Sequence, residues 1–232
     1  MTGRGNPSPS PVKAVVFDFD GVLVESTEIK TEAFRALFHD RPEALDAIIR
    51  YHLEHQGVSR YEKFRHIYRD ILKRPLSPGE EVSLGERFQA LVIEQVVGAS
   101  WVPGALACLE SCSGRFPLYV ASGTPQEELE RIIERRAMRR YFAGVYGSPS
   151  SKPDILRRII SRSGADPSAI VFVGDSKTDH EAARAAGVRF VLRVKSPPES
   201  MPLEDGTPAI GTLTELVAYL ESLEAAPGVP LR

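Results

Sequence analysis

Two aspartates, Asp18 and Asp20, close the apolar run of VVFDFDGVLVES, with only Phe19 between them. A buried carboxylate is costly unless something pairs with it, and two neighbouring ones push each other's pKa upward. Such a pair either stands in water or holds a cation and does chemistry. Other residues of this kind follow at intervals: Ser122 in VASGT, Lys152 in SSKPD, and Asp175 and Asp179 in VFVGDSKTD. Four carboxylates, a hydroxyl and an ammonium make joint sense around a phosphate and a hard dication. Mg²⁺ prefers carboxylate and water oxygens and keeps one or two protein carboxylates beside a substrate phosphate. Asp18 and Asp175 are the expected direct ligands, and the Asp20 carbonyl offers a third. Asp179 is expected to act through water or by orienting its neighbours. Lys152 would offset negative charge on phosphate and nucleophile. Ser122 and the adjacent backbone N–H groups, Gly123 included, suit phosphate oxygens at the start of a helix.

Convergence of these residues requires a particular scaffold. Short β-branched runs recur as AVVFDF, PLYVAS, AGVYG, AIVFVGD and VRFVLRV, and their near-continuous apolarity suits strands covered on both faces. Helical patterns separate the later ones. TPQEELERIIERRAM opens with a predicted capping box at Thr124 and Glu127; KPDILRRIISRSG places Ile155, Leu156, Ile159 and Ile160 on one stripe; TDHEAARAAG ends at Gly187. Strand and helix in alternation predict a doubly wound α/β core, in which ligands gather outside the carboxyl ends of the strands. The polar residues above fall at those ends.

From Ser26 to Ser100 the alternation stops and helical periodicity takes over. Stripes run through Ile29, Ala33, Phe34 and Leu37, through Leu45, Ile48 and Ile49, and through Tyr61, Phe64, Tyr68 and Ile71. A longer helix opens on a capping box at Ser77 and turns Phe88, Leu91 and Val92 inward. The expected division is a disordered tail at residues 1–11, a core at 12–25 and 101–223, a four-helix insertion at 26–100 and a C-terminal tail at 224–232.

The rest of the composition narrows the partners. A formal net charge of -2 over 232 residues gives no electrostatic reason to expect nucleic acid or an anionic membrane. The basic cluster RIIERRAMRRY, interleaved with Glu, reads as a solvated helix face. Cys108 and Cys112, the only cysteines, sit four apart and are expected as small core residues in a reducing compartment. No apolar run approaches the roughly 18 residues of a membrane span, and the N-terminus carries no secretory h-region, so a cytoplasmic protein is expected. The five histidines show no metal spacing and read as structural or solvent-facing.

DFDGVLVES, ASGT, the lysine before PD, and GDSKTDHEAARAAG, in that order, resemble the four motifs of the haloacid dehalogenase-like superfamily, over about Lys13 to Val194. The insertion is similar to the helical cap of phosphoglycolate phosphatase-like and β-phosphoglucomutase-like members. The resemblance implies a Rossmann-like parallel sheet, a Mg²⁺ cofactor and phosphoryl transfer. Asp18 would be the nucleophile that forms an aspartyl phosphate, and Asp20 the acid and then the base. Dehalogenase members lack that second carboxylate, because halide leaves without a proton. The segment HQGVSRYEKF is similar to one in mutase-like proteins whose arginine contacts a distal phosphate, and Arg60 is the matching position. Lys30 stands where the mutase-like pattern carries histidine, which weakens the alternative of a phosphosugar mutase. A phosphatase of a small phosphomonoester, with Arg60 and Lys30 recognising substrate, is the reading; an idle binding module on the same fold is the other alternative.

Overall fold

The computed structural model describes residues 11–195 and 206–225. The tails expected at residues 1–11 and 224–232 lie outside it, except Pro11 and the last helical turn at 224–225. Six parallel strands form one sheet: β1 (Ala14–Phe17), β2 (Leu118–Pro125), β3 (Phe142–Ser148), β4 (Ile170–Gly174), β5 (Arg189–Arg193) and β6 (Ala209–Ile210). Their order is β3-β2-β1-β4-β5-β6. Five match the apolar runs in the sequence. The sixth, two residues long, is too short to leave a periodic signal.

Successive residues of β1 face opposite sides, which makes the sheet doubly wound. Val15 and Phe17 enter one core with α5 (Ala105–Cys112), α6 (Gln126–Arg135) and α9 (Leu213–Ala225). Ala14 and Val16 enter the other, with α7 (Lys152–Ser163) and α8 (Lys177–Ala186). Strand order reverses between β1 and β4, the crevice where such sheets bind ligands. Cys108 and Cys112 are buried free thiols in α5.

Between β1 and α5 the chain forms α1 (Thr27–Leu37), α2 (Pro42–Glu54), α3 (Arg60–His66), continued by a wider turn at Ile67–Ile71, and α4 (Pro78–Gly98). Phe34, Phe64 and Phe88 meet at this bundle's centre, with ring centroids 5.0–6.2 Å apart. Each buried ring contributes roughly 1.5–3 kcal/mol. Leu91, expected inward, is exposed, because α4 turns only the stripe through Leu84, Phe88, Val92 and Val96 to the bundle. The capping box at Ser77 forms as expected.

Two chain segments cross side by side between bundle and sheet. Val24 bridges Trp101, Glu25 N–H donates to the Ser100 carbonyl at 3.0 Å, and Val102 N–H to that of Leu23 at 3.0 Å. The basic cluster in α6 is not merely a solvated face. Arg136 stacks on Trp101 and donates to the carbonyls of Val96, Val97 and Ala99 at 2.7–3.0 Å. It thereby serves the carbonyls at the end of α4, of which Val96 also accepts from the Ala99 N–H. Among the described residues, no helix is long and apolar enough to cross a membrane.

Candidate active site

Asp18 is the first residue beyond β1, and its N–H continues the ladder to the Val173 carbonyl at 2.9 Å. Its side chain is buried, with Oδ1 accepting from Phe19 N–H at 2.7 Å and Oδ2 from Lys152 Nζ at 2.8 Å. Lys152, the first residue of α7, also donates to Asp179 Oδ1 at 2.5 Å. Asp179 is held twice over. Its other oxygen accepts from Ser176 Oγ, and together they form the capping box that starts α8. Asp175, just past β4, completes the group: one oxygen each from Asp18, Asp175 and Asp179 lies within 4.8 Å of the others. Residues separated by more than 150 positions thus meet at the crevice between β1 and β4.

Asp20 belongs to a different network. Its Oδ1 accepts from Ser26 Oγ at 2.6 Å, and its Oδ2 accepts from Lys30 Nζ and from Thr124 Oγ1, the latter at 3.1 Å. Its carboxylate lies outside the converging group of Asp18, Asp175 and Asp179, but it lines the same cavity and adds repulsion at Asp18. The same contacts explain a departure from expectation in β2. Thr124 and Pro125 stay in the strand, α6 starts at Gln126, and the predicted capping box does not form. The Thr124 hydroxyl serves Asp20 instead.

Burial pushes the Asp18 carboxyl up to about 7 despite Lys152, with Asp179 and Asp20 adding repulsion. Burial and the charges of Asp18 and Asp179 likewise raise Asp175 well above the usual carboxylate range. Burial alone would lower Lys152, but the carboxylates of Asp179 and Asp18 outweigh it and hold the ammonium firmly charged. For Asp20 burial acts upward, yet Lys30, Ser26 and Thr124 prevail and keep it below its ordinary value. Four carboxylates face two ammoniums, Lys152 and Lys30, an excess of two negative charges. A divalent cation would balance that formal charge, and an all-oxygen donor set would suit a hard one.

The bundle closes over this edge. Gly57, between α2 and α3, has φ +82°, and a Cβ there would meet Thr178 Oγ1 at 2.6 Å and Lys152 Nζ at 2.9 Å. The Gly57 carbonyl lies against Gly123, and Thr178 donates to the Gln56 carbonyl. On one side of this contact a cavity runs from Asp18, Asp20 and Asp175 to Arg60, Lys63 and His52. On the other, Ser122 and Lys152 line a second depression with Ser148 and Ser151. Ser122 is buried, and its hydroxyl accepts from Thr124 N–H at 3.1 Å.

The two insertion cations singled out in the sequence are both engaged. Lys30 binds Asp20 and, at 2.8 Å, the Thr124 hydroxyl. Arg60 lines the cavity, but its guanidinium pairs with buried Glu128 of α6 and covers the Phe88 ring at 4.4 Å. The sequence singles out neither Glu128 nor Lys63, and in it Thr124 reads as a helix cap and His52 as structural or solvent-facing. A signal for His52 and Lys63 existed: His52 continues the Ile48–Ile49 stripe, and Lys63 lies one helical turn from Arg60. His180, by contrast, packs its ring on Phe190 at 5.3 Å, away from the carboxylates.

Known proteins resemble this chain in sequence and fold. The family model for haloacid dehalogenase-like hydrolases matches residues 12–187. A phosphoglycolate phosphatase from Synechococcus elongatus is 29% identical over 181 residues, 76% of this chain and 81% of its own. A phosphorylated carbohydrates phosphatase from Thermotoga maritima is 30% identical over 196 residues, 79% of this chain and 85% of its own. The crystal structure of CbbY from Rhodobacter sphaeroides in complex with phosphate has a TM-score of 0.70 at 19% identity, covering 90% of this chain and 99% of that one.

Proposed function

Because the chain belongs to the haloacid dehalogenase-like hydrolases, we propose that it is a Mg²⁺-dependent phosphatase of a small phosphomonoester, a sugar phosphate or a phosphoglycolate-like acid. The observation that carries this reading is the meeting of Asp18, Asp175 and Asp179 around Lys152, with Asp20 held apart on its own network. The names of the curated relatives, both phosphatases of small phosphorylated compounds, support it.

In this reading Asp18 attacks phosphorus, and the ester P–O bond breaks as the Asp18–phosphorus bond forms. Asp20, ionised while Lys30 pairs with it, must take up a proton before it can deliver one to the departing alkoxide; it then takes one from the water that attacks the aspartyl phosphate, releasing inorganic phosphate and restoring Asp18. The carboxylates of Asp18 and Asp175 and the Asp20 carbonyl would hold Mg²⁺, with Asp179 orienting Lys152 beside them. When bound, the ion supplies Lewis acidity and charge compensation at the phosphoryl oxygens. Lys152 fixes the Asp18 carboxylate, and Ser122 and the Gly123 N–H receive phosphoryl oxygens.

Residues 26–100 act as a cap. At about 50 Å³, the cavity beneath it holds roughly four water-sized groups. In this reading the cap draws back to admit a phosphomonoester and closes to exclude water. Lys30, where the mutase-like pattern has histidine, is tied to the Asp20 carboxylate, which favours hydrolysis over isomerisation. Phosphate release from p-nitrophenyl phosphate, phosphoglycolate and hexose phosphates, with and without EDTA, tests the proposal. Mg²⁺-dependent release that Asp18→Asn abolishes supports it; conversion of a hexose phosphate to its isomer without net release would overturn it.

A further inference from the structure

Three cations of the cap line the cavity, and their pairing separates them. Lys30 has Asp20, and Arg60 has Glu128. Lys63 is as buried as Arg60 but has no carboxylate partner among the described residues. Its Nζ bonds His52 Nδ1 at 2.9 Å and the His52 carbonyl at 3.2 Å. An ammonium carries three donors, so among the described residues a third N–H remains without a protein acceptor. A buried charge left unpaired is expensive, and the expense is relieved when an anion arrives.

The groups around Lys63 fix its orientation. With Nδ1 accepting from the lysine, His52 carries its proton on Nε2, which donates to Thr31 Oγ1 at 3.2 Å. Thr31 in turn donates to the Thr27 carbonyl at 3.1 Å. This chain of bonds uses both ring nitrogens and leaves His52 unable to neutralise the amine. Phe34, with its ring centroid 5.6 Å from Nζ, closes one side. Asp18, Asp20 and Asp175 line the same cavity.

We propose that Lys63, held by His52, binds a second acidic group of the substrate, a carboxylate or phosphate carried by the carbon skeleton beyond the scissile phosphoryl. This deepens the phosphatase reading and rests on it. Arg60, matched to a distal-phosphate contact by sequence, instead ties cap to core. Burial and the nearby charges of Lys30 and Lys152 push the Lys63 amine down to about 7. An arriving anion would therefore draw a proton onto it.

The test compares wild type, Lys63→Met and Lys63→Arg on phosphoglycolate, a sugar bisphosphate and ethyl phosphate, which has no second acid. Lys63→Met is expected to raise KM at least tenfold for whichever acidic ester is preferred, to change kcat little, and to leave ethyl phosphate within twofold; Lys63→Arg should recover part of the loss. Equal effects on acidic and neutral esters, or none, would overturn the proposal. If wild type hydrolyses none of the three, the phosphatase reading fails, and Lys63 is then judged by calorimetry. Wild type should bind 3-phosphonopropionate more tightly than propylphosphonate and Lys63→Met should lose that preference; no preference in wild type rejects the assignment.

Discussion

Arg60 and Glu128 form an ion pair between cap and core in which both side chains are almost completely buried. Breaking such a pair from one side strands a charge, which costs about 3–5 kcal/mol, whereas replacing both partners with apolar groups is often nearly neutral. Arg60→Met alone, or Glu128→Met alone, is expected to lower unfolding stability by an amount in that range. The double change Arg60→Met with Glu128→Met should restore most of it. Urea unfolding of the four variants in a double-mutant cycle checks this; a near-zero coupling energy would show that the pair does not join the domains.

Asp18 and Asp20 sit two residues apart in unlike surroundings, and their substitutions should differ accordingly. In the proposed mechanism Asp18→Asn removes the attacking oxygen, and it also removes one of the repelling carboxylates, so turnover should disappear while thermal stability holds or rises. Asp20→Asn keeps the nucleophile and loses the proton donor, a loss worth roughly 10²–10⁴ in rate. That loss should be smaller for p-nitrophenyl phosphate, whose leaving group needs little protonation, than for an alkyl phosphate. Steady-state rates on the two esters, with melting curves, read both expectations.

Gly21 packs so closely on Asp175 that a Cβ would lie 1.9 Å from its Oδ2, and its φ of +74° is itself unfavourable for other residues. Arg193 of β5 pins the same turn by donating to the Gly21 carbonyl at 3.1 Å and to Glu25 Oε1 at 2.6 Å. Gly21→Ala must displace Asp175, so the Mg²⁺ concentration for half-maximal activity should rise tenfold or more. EDTA should silence both proteins, with excess Mg²⁺ restoring wild type fully and the variant only in part. Unchanged metal dependence in Gly21→Ala would separate Asp175 from the metal site.

The sheet and the polar residues gathered at its edge were readable because each depends on local pattern. Five strands announced themselves as apolar runs, and Asp18, Lys152, Asp175 and Asp179 stood at their ends or at helix starts. The cap's helices were readable for the same reason. Its pairings were not. Nothing local to Arg60 marks Glu128, 68 residues away, as its partner, and nothing local to Lys30 marks Asp20 and Thr124. Thr124 was misread because Ser or Thr three residues before Glu fits a helix cap, and only the folded position of Asp20 shows that its hydroxyl is engaged elsewhere. Leu91 followed the helical period, but that period does not say how wide a stripe the bundle covers.

Lys63 should also leave a signature in stability. In the unfolded chain its amine has the ordinary value of 10.5, and in the folded chain about 7. Below pH 7 both states hold the proton, and the fold bears the full cost of a buried cation. Between about 7 and 10.5 the folded state has released a proton that the unfolded state keeps, so this residue makes stability rise with pH. The charged groups acting on it are Lys30 on α1, Lys152 and Asp20 from the core, with His52 on α2 uncharged across this range because burial and Lys63 push it down to about 3. Lys63→Met removes the dependence. It should be more stable than wild type at pH 6, and the gap should narrow steadily toward pH 9. Urea midpoints of both proteins across that range measure the difference directly, free of other titrating groups common to the two. A gap that stays constant, or widens with pH, would mean that Lys63 is not carried as a buried, unpaired amine.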